Sequence, residues 1–112
     1  MGSEGLGEFE QLVLLAVVRC ADDAYASGVR DEIETRIGRT FSRGAVHVTL
    51  DRLERKGYLR SAMGAPTAER GGKAKRLFSI TAAGRRSLQA SLEGIEAMRR
   101  GLGADLRWST ES

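Results

Sequence analysis

The sequence predicts a mainly α-helical fold with one small β-hairpin, and three observations indicate it. Three segments with apolar residues at helical spacing come first, two short alternating segments then flank a glycine-rich loop, and one long helical pattern follows. The predicted order is therefore helix, helix, helix, strand, loop, strand, helix. Three helices followed by a two-stranded wing are typical of a winged helix-turn-helix. The 112 residues suffice for one domain with a modest core.

The first two helices are predicted from apolar patterns and end signals. The first runs from Glu8 to Ala21, and apolar residues cover most of its circumference. Because such a helix must be buried on more than one side, we expect one of its sides to contact another subunit. The second helix is predicted from Ala24 to Ile37, with Asp22 and Asp23 as caps and Gly38 as its end.

The third helix and the hairpin follow directly. Ser42 is expected to cap a helix from Arg43 to Lys56, and Gly57 to end it. Alternating segments from Tyr58 to Met63 and from Lys75 to Ile80 predict the two strands. The inward face of the third helix is formed by apolar residues at i, i+4 and i+7, namely Val46, Leu50 and Leu53.

The last helix is predicted to begin after Thr81 and to extend to Leu102. Gly84 and Gly94 each weaken it by roughly 1 kcal/mol relative to alanine, so packing must support it. Its apolar residues follow the spacing of a helix paired with another helix, with Arg99 as an interruption. The predicted dimer interface joins this stripe to the first helix and comprises Leu12, Leu15, Leu88, Leu92, Ile95 and Leu102.

The domain organisation follows from these elements. Positions 1–7 are expected to form a flexible N-terminus and positions 8–80 a winged helix-turn-helix domain. Positions 81–102 are expected to form a C-terminal dimerisation helix, and positions 103–112 a tail without a clear pattern.

Charge is segregated along the chain. Positions 39–88 hold twelve basic and three acidic residues, a net charge of +9, whereas positions 1–38 carry a net charge of −5. A block this basic indicates a surface that faces a polyanion, and a basic face in contact with water alone is the alternative.

The third helix is the candidate recognition element. A helix fits the major groove of B-DNA, and its first turns reach deepest. Asp51 opposes this role unless an i, i+4 pair with Arg55 neutralises it, and an ordinary amphipathic surface helix is the alternative. The expected base contacts are Arg43, Gly44, His47 and Val48, and the expected phosphate contacts are Ser42, Arg52 and Arg55.

The loop between the strands supports the same interpretation. Arg70, Lys73, Lys75 and Arg76 lie within seven residues, and a Gly-Gly pair allows close approach to the sugar-phosphate backbone. These cations are expected to contact phosphates or to enter the minor groove, and a solvated loop is the alternative. The hydroxyl of Tyr25 is a further phosphate contact, unless the ring packs with only its tip in water.

Several function classes are excluded by what the chain lacks. No catalytic residue, metal site or cofactor is predicted, because His47 and Cys20 are the single histidine and cysteine. No stretch approaches the roughly 18 apolar residues of a membrane span, and no secretory leader is recognisable. We expect a cytoplasmic, chromosome-associated protein.

Four segments resemble the PadR family of bacterial transcription regulators, in its short form with a single C-terminal helix. They are LGEFEQLVLLAVVR, DDAYASGVRDEIE, SRGAVHVTLDRLERKGYL and ERGGKAKRLFSITAAGRRSL. The resemblance implies a homodimer on a palindromic operator, usually with repression released by a small effector or signal. Two positions depart from the family, which commonly has tyrosine at His47 and glycine at Ala26.

The function expected from the sequence is therefore sequence-specific binding of double-stranded DNA by a homodimeric regulator, expected to be a repressor. The effector cannot be named, because the residues that bind effectors vary too much between relatives to be carried over. The alternative is a winged helix that contacts only proteins, for which Asp51 and Val48 on the exposed face are the sole indication.

Overall fold

The computed structural model describes positions 5–64 and 75–106. It confirms the predicted class, a mainly α-helical winged helix-turn-helix with one antiparallel hairpin. Among the described residues, no helix is long and apolar enough to cross a membrane. The elements are α1 (Glu8–Cys20), α2 (Ala26–Ile37), α3 (Arg43–Arg55), β1 (Leu59–Met63), β2 (Arg76–Ile80) and α4 (Ala82–Arg99).

One apolar core joins the first three helices to the hairpin. It forms because each helix turns one apolar stripe inward, at the spacing that the sequence predicts. Ile37 lies outside this core, since it is exposed at the last position of α2. The core side chains include Val13, Leu14, Val29, Ile33, Val46, Leu50, Leu53, Leu59 and Phe78.

The predicted N-terminal caps of α3 and α4 are confirmed. The Ser42 hydroxyl accepts a hydrogen bond from the Ala45 N–H at 3.0 Å, and the Thr81 hydroxyl accepts one from Gly84 at 3.0 Å. Both hydroxyls satisfy N–H groups that the first helical turn leaves without a partner. Gly38 ends α2 with a φ of 80°, in the left-handed region that glycine adopts without strain.

The start of α2 differs from the prediction. Asp22 and Asp23 do not cap it, because they belong to a short 3₁₀ turn and the helix begins at Ala26. The physical reason lies at Ala24, which is fully buried and accepts a hydrogen bond from the Phe78 N–H of β2 at 2.9 Å. This hydrogen bond holds the segment between α1 and α2 against β2, so α2 begins only at Ala26.

The first turn of α1 is held by a chain end that the sequence predicted to be flexible. Leu6 is buried, and its N–H lies 3.3 Å from the Ser91 hydroxyl of α4. The prediction is wrong for Leu6 because its side chain completes the core beside α1 and α4. Positions 1–4 lie outside the described residues.

Glu10 is a buried carboxylate that joins α1 to the end of α3. It accepts hydrogen bonds from the Gly7 N–H at 3.0 Å and from the Lys56 ammonium at 2.8 Å. Burial raises the pKa of this carboxyl, but the bonds from Lys56 and Gly7 and the charge of Arg52 outweigh burial, so the pKa lies below its ordinary value.

Replacing Glu10 with glutamine is expected to lower the free energy of unfolding at pH 7 by about 1–2 kcal/mol. A depressed pKa in the folded state stabilises the protein above the ordinary glutamate pKa, and this contribution disappears as pH falls through the folded pKa. Urea unfolding at pH 7 and at acidic pH measures the free energy of unfolding of the variant and of the parent. If the two proteins differed in this free energy as much below the folded pKa as at pH 7, the explanation would be contradicted.

The end of α4 also differs from the prediction. The helix ends at Arg99, and Gly101, with a φ of 88°, turns the chain before one further helical turn at 103–106. Leu102 therefore lies beyond the helix and does not continue its stripe. Leu88, predicted to lie in the dimer interface, is only 7% exposed because it packs into the core of its own chain.

Candidate nucleic-acid interface

The exposed face of α3 carries the residues that the sequence predicts as DNA contacts. Their opposite neighbours Val46, Leu50 and Leu53 are buried, which fixes the rotation of the helix about its axis. Val48 is 54% exposed although it is apolar, so it lies open on this face. The other exposed side chains and glycines of this face are Arg43, Gly44, His47, Arg52 and Arg55, and Ser42 is exposed at the helix start.

A groove runs between the start of α2, the first half of α3 and the base of the hairpin. Two adjoining depressions form it, and both are lined by Ala26, Ser27, His47 and Lys75. Arg43 lies at one end of the groove. The groove therefore brings the predicted base-reading turn of α3 next to Lys75, although the two are far apart in sequence.

Three polar residues of this groove were missed by the sequence interpretation, namely Ser27, Arg30 and the acidic Asp31. Ser27 is exposed in the first turn of α2, where its hydroxyl faces the groove beside Lys75. Arg30 lines the same depression as Arg43, but its Nε donates to the Phe41 carbonyl at 2.6 Å and lies 3.3 Å from a Glu34 carboxylate oxygen. Arg30 thus stabilises the turn between α2 and α3.

Tyr25 lies at the hairpin end of the groove. It is half-buried, and a Cβ built on Gly64 would come within 3.1 Å of its hydroxyl oxygen. The ring therefore packs against the end of β1, and Gly64 leaves room for it. The ring also lines the groove with Lys75, so one residue combines packing with access to the groove.

The acidic residues of α3 have a partner that the sequence did not indicate. The predicted pair between Asp51 and Arg55 is wrong, because Asp51 Oδ1 lies 3.0 Å from Nη1 of Arg76. Nη2 of the same guanidinium donates to Glu54. The hydrogen bond with Asp51 and the charges of both carboxylates raise the pKa of Arg76 above its ordinary value, against the effect of burial. Arg76 reaches Asp51 because β2 pairs with β1, the strand that packs beside α3.

Two of the predicted phosphate contacts, Arg70 and Lys73, lie outside the described residues. Arg52 belongs to the opposite end of α3, where its Nη1 lies 3.9 Å from Glu10 while its side chain is about half exposed.

A second surface of interest is an apolar groove between α1 and α4. It contains Leu15, Leu92 and Ile95 of the predicted dimer interface, and the sequence interpretation missed Val18, which also lines it. Ile95 is 59% exposed and Leu92 38%. Leu12 lies instead in a smaller groove between α1 and α2, together with Leu15 and Ile37. Apolar side chains this exposed are unfavourable in water unless another surface covers them.

No group of three metal-ligating side chains occurs within positions 5–64 and 75–106. Burial raises the pKa of the half-buried Cys20 thiol, and nearby Glu32, Asp23 and Asp31 act in the same direction, so the thiol is protonated at neutral pH.

Comparison with known proteins decides the family. The model of the transcriptional regulator PadR-like family matches residues 14–90, from the middle of α1 to the middle of α4. The chain belongs to the PadR-like family. It is therefore a DNA-binding transcriptional regulator by family. A comparison with curated proteins finds no match.

Solved structures share the fold of this PadR-like chain. A PadR family transcriptional regulator from Eggerthella lenta superposes with a TM-score of 0.67 and 21% identity, covering 88% of this chain and 86% of that one. A PadR family regulator from Clostridium difficile gives a TM-score of 0.64 and 15% identity, covering 88% and 98%. A protein from Thermoplasma acidophilum gives 0.68 and 15%, covering 88% and 90%.

Proposed function

We propose that this PadR-like regulator is a homodimeric repressor that binds a palindromic operator on the chromosome, in the cytoplasm, and is released by a small effector or signal. The observation that carries the proposal is the groove that α3 shares with Lys75. It brings an exposed helix start and a cation at the hairpin base to one flank of the molecule. A duplex can contact both at once, with the helix in its major groove.

The first turns of α3 read base edges in this proposal. Arg43 donates to guanine acceptors, and His47 can donate to a base or a phosphate. Gly44 permits close approach, since it is exposed and carries no side chain between the backbone and the duplex. Val48 offers an apolar contact of the kind that recognises a thymine methyl group.

Phosphate contacts are assigned to cations and hydroxyls outside the base-reading turns of α3. Lys75 lies at the base of the hairpin, Arg52 and Arg55 lie further along α3, and Arg70 and Lys73 belong to the loop outside the described residues. The Ser42 hydroxyl caps α3 through its oxygen lone pair, so its hydrogen remains able to donate to a phosphate. Tyr25 supplies a further hydroxyl at the groove.

Dimerisation supplies the second recognition helix. The apolar residues Val18, Leu92 and Ile95 lie exposed along the groove between α1 and α4, and a second copy that packs there removes them from water. A twofold axis through this groove pairs the two α3 helices, so the operator has matching half-sites.

A winged helix that contacts only proteins is the second candidate, and Asp51 is the observation that favours it. Because Arg76 compensates Asp51, however, the acid does not leave an unpaired negative charge on the face of α3. This pairing supports the DNA-binding proposal over the alternative.

Titration of the protein with random-sequence duplex at increasing salt tests the proposed function. We expect log K to fall linearly with log salt, with a slope of about −0.9 for each phosphate contact. Undetectable binding at low salt would reject DNA binding and favour the protein-contact alternative.

Arg43→Ala and Lys75→Ala are expected to affect binding differently. Arg43→Ala should cost about 1–3 kcal/mol on a selected genomic site and much less on random duplex, because its contacts are to bases. Lys75→Ala should weaken binding to the genomic site and to random duplex by the same factor, because its contact is to a phosphate. It should also reduce the slope of log K against log salt by about 1. Fluorescence anisotropy on both duplexes measures these effects, and equal behaviour of the two variants would refute the division of roles.

A further inference from the structure

Arg76 stands at a junction of three elements. It is the first residue of β2, paired in register with Met63 of β1, and its side chain reaches back to α3. Nη1 lies 3.0 Å from Asp51, Nη2 donates to Glu54, and Nη2 also lies 3.5 Å from the Ser61 hydroxyl oxygen of β1. The guanidinium of this β2 residue therefore contacts side chains of both β1 and α3.

The two carboxylates form a closed set of bonds around this guanidinium. The Ser61 hydroxyl donates to the second oxygen of Glu54 at 2.8 Å, which orients that carboxylate toward Arg76. The guanidinium carbon also lies 4.8 Å from the ring centroid of buried Phe78, so the side chain packs on the core as it pairs. Contacts to carboxylates, a hydroxyl and a ring together fix its position more firmly than one surface ion pair would.

The balance of charge argues against a direct contact between Arg76 and DNA. Asp51 and Glu54 lie on the helix that would enter the major groove, and Arg76 is the cation paired with both. If Arg76 moved to a phosphate, two carboxylates would be left without that cation close to a polyanion. The repulsion would offset the gain from the new contact.

We propose that Arg76 is a positioning residue that neutralises Asp51 and Glu54 and fixes the hairpin base against α3, and that it is not a phosphate ligand. The proposal rests on DNA binding as the function and revises the role that the sequence predicted for this arginine. Lys75, the adjacent residue, is then the phosphate contact at the hairpin base. The two neighbours thus have different tasks.

A mutational cycle separates positioning from direct contact. Arg76→Gln is expected to lower affinity for random duplex roughly tenfold in the wild-type background, because two carboxylates become uncompensated. The second background, called neutral here, carries Asp51→Asn and Glu54→Gln and so lacks both negative charges. In this neutral background, Arg76→Gln is expected to change affinity less than about twofold. A loss at least as large in the neutral background would overturn the proposal, because a phosphate ligand does not depend on those carboxylates.

Lys75→Gln is the matched control for this cycle. It removes one positive charge from the neighbouring position without touching the carboxylates. We expect it to reduce affinity by the same factor in both backgrounds. If Lys75→Gln also lost its effect in the neutral background, the cycle would report net charge alone and the positioning role would be rejected.

Nuclear magnetic resonance of the free protein gives a readout that does not require DNA. The Nε–H resonance of Arg76 and the amide of Ser61 are expected to shift when Asp51 and Glu54 become Asn and Gln. Arg55, which forms no ion pair within the described part of the chain, should keep its resonance. An unchanged Arg76 resonance would overturn the proposal, whereas failure of the parent protein to bind duplex would refute only the proposed function.

Discussion

Replacing Leu92 with glutamate is expected to convert the proposed dimer to a monomer and to weaken binding to the proposed operator by about 10²–10⁴-fold. Leu92 lies in the apolar groove between α1 and α4, 38% exposed, and neighbouring Ile95 is still more exposed. A carboxylate there would have to be buried against another apolar surface, which is strongly unfavourable. Losing the second subunit removes the gain in affinity from holding two half-sites at once.

Sedimentation and binding to a site selected from genomic DNA measure the two effects. Ala90→Glu is the matched control, because Ala90 is exposed on the same helix and lies on the side opposite the Leu88, Leu92 and Ile95 stripe. This variant should remain a dimer and bind normally. A Leu92→Glu protein that sediments as a dimer would exclude Leu92 from the interface.

Gly84→Ala is expected to destabilise the fold, although alanine favours helices. A Cβ at this position would lie 2.2 Å from the carbonyl oxygen of Tyr58, so α4 must move away from the hairpin base. That movement strains two bonds of Thr81, from its N–H to the Tyr58 carbonyl and from its hydroxyl to the Gly57 carbonyl. Overpacking costs about 1–3 kcal/mol or more, and the backbone contact allows little relaxation, so we expect a net loss of roughly 2 kcal/mol.

Gly94→Ala in the same helix is the control. A Cβ at Gly94 would meet no described atom within 4 Å, so only the helix propensity changes. We expect this variant to be more stable by about 0.5–1 kcal/mol. Thermal or urea unfolding of both variants compares them, and equal stabilisation by the two alanines would show that α4 does not approach Tyr58 this closely.

Local signals explain why the helical part of the fold could be predicted. Ser42 and Thr81 cap their helices through hydrogen bonds that span three residues, so short sequence patterns contain the information. The rotation of α3 follows from Val46, Leu50 and Leu53, and this rotation alone places Gly44 and Val48 on the exposed side.

The contacts that the sequence did not indicate join distant residues. Arg76 reaches Asp51 across 25 positions and Lys56 reaches Glu10 across 46, and neither pair has a local pattern. Several arginines and lysines could neutralise each acid, and only the packing of the hairpin and α1 against α3 selects one. The role of Gly84 was hidden for the same reason, because the atom it avoids belongs to another element.

The same distinction between local patterns and distant contacts applies to the residues of the candidate nucleic-acid interface. The exposed residues of α3 could be predicted from one helix, whereas the groove with Ser27 and Lys75 depends on how three elements meet. Tyr25 illustrates both aspects, since its hydroxyl at the start of the second helix suggested a phosphate contact and its packing against Gly64 is visible only in three dimensions.

Amide chemical shifts of the isotope-labelled protein, recorded as a duplex is added, test the central claim most directly. The first turns of α3 and the hairpin base should respond together, with the largest changes at Gly44, His47, Val48 and Lys75, while Ile95 on α4 stays unmoved. Changes confined to α1 and α4, with α3 unaffected, would contradict the binding surface described for this regulator.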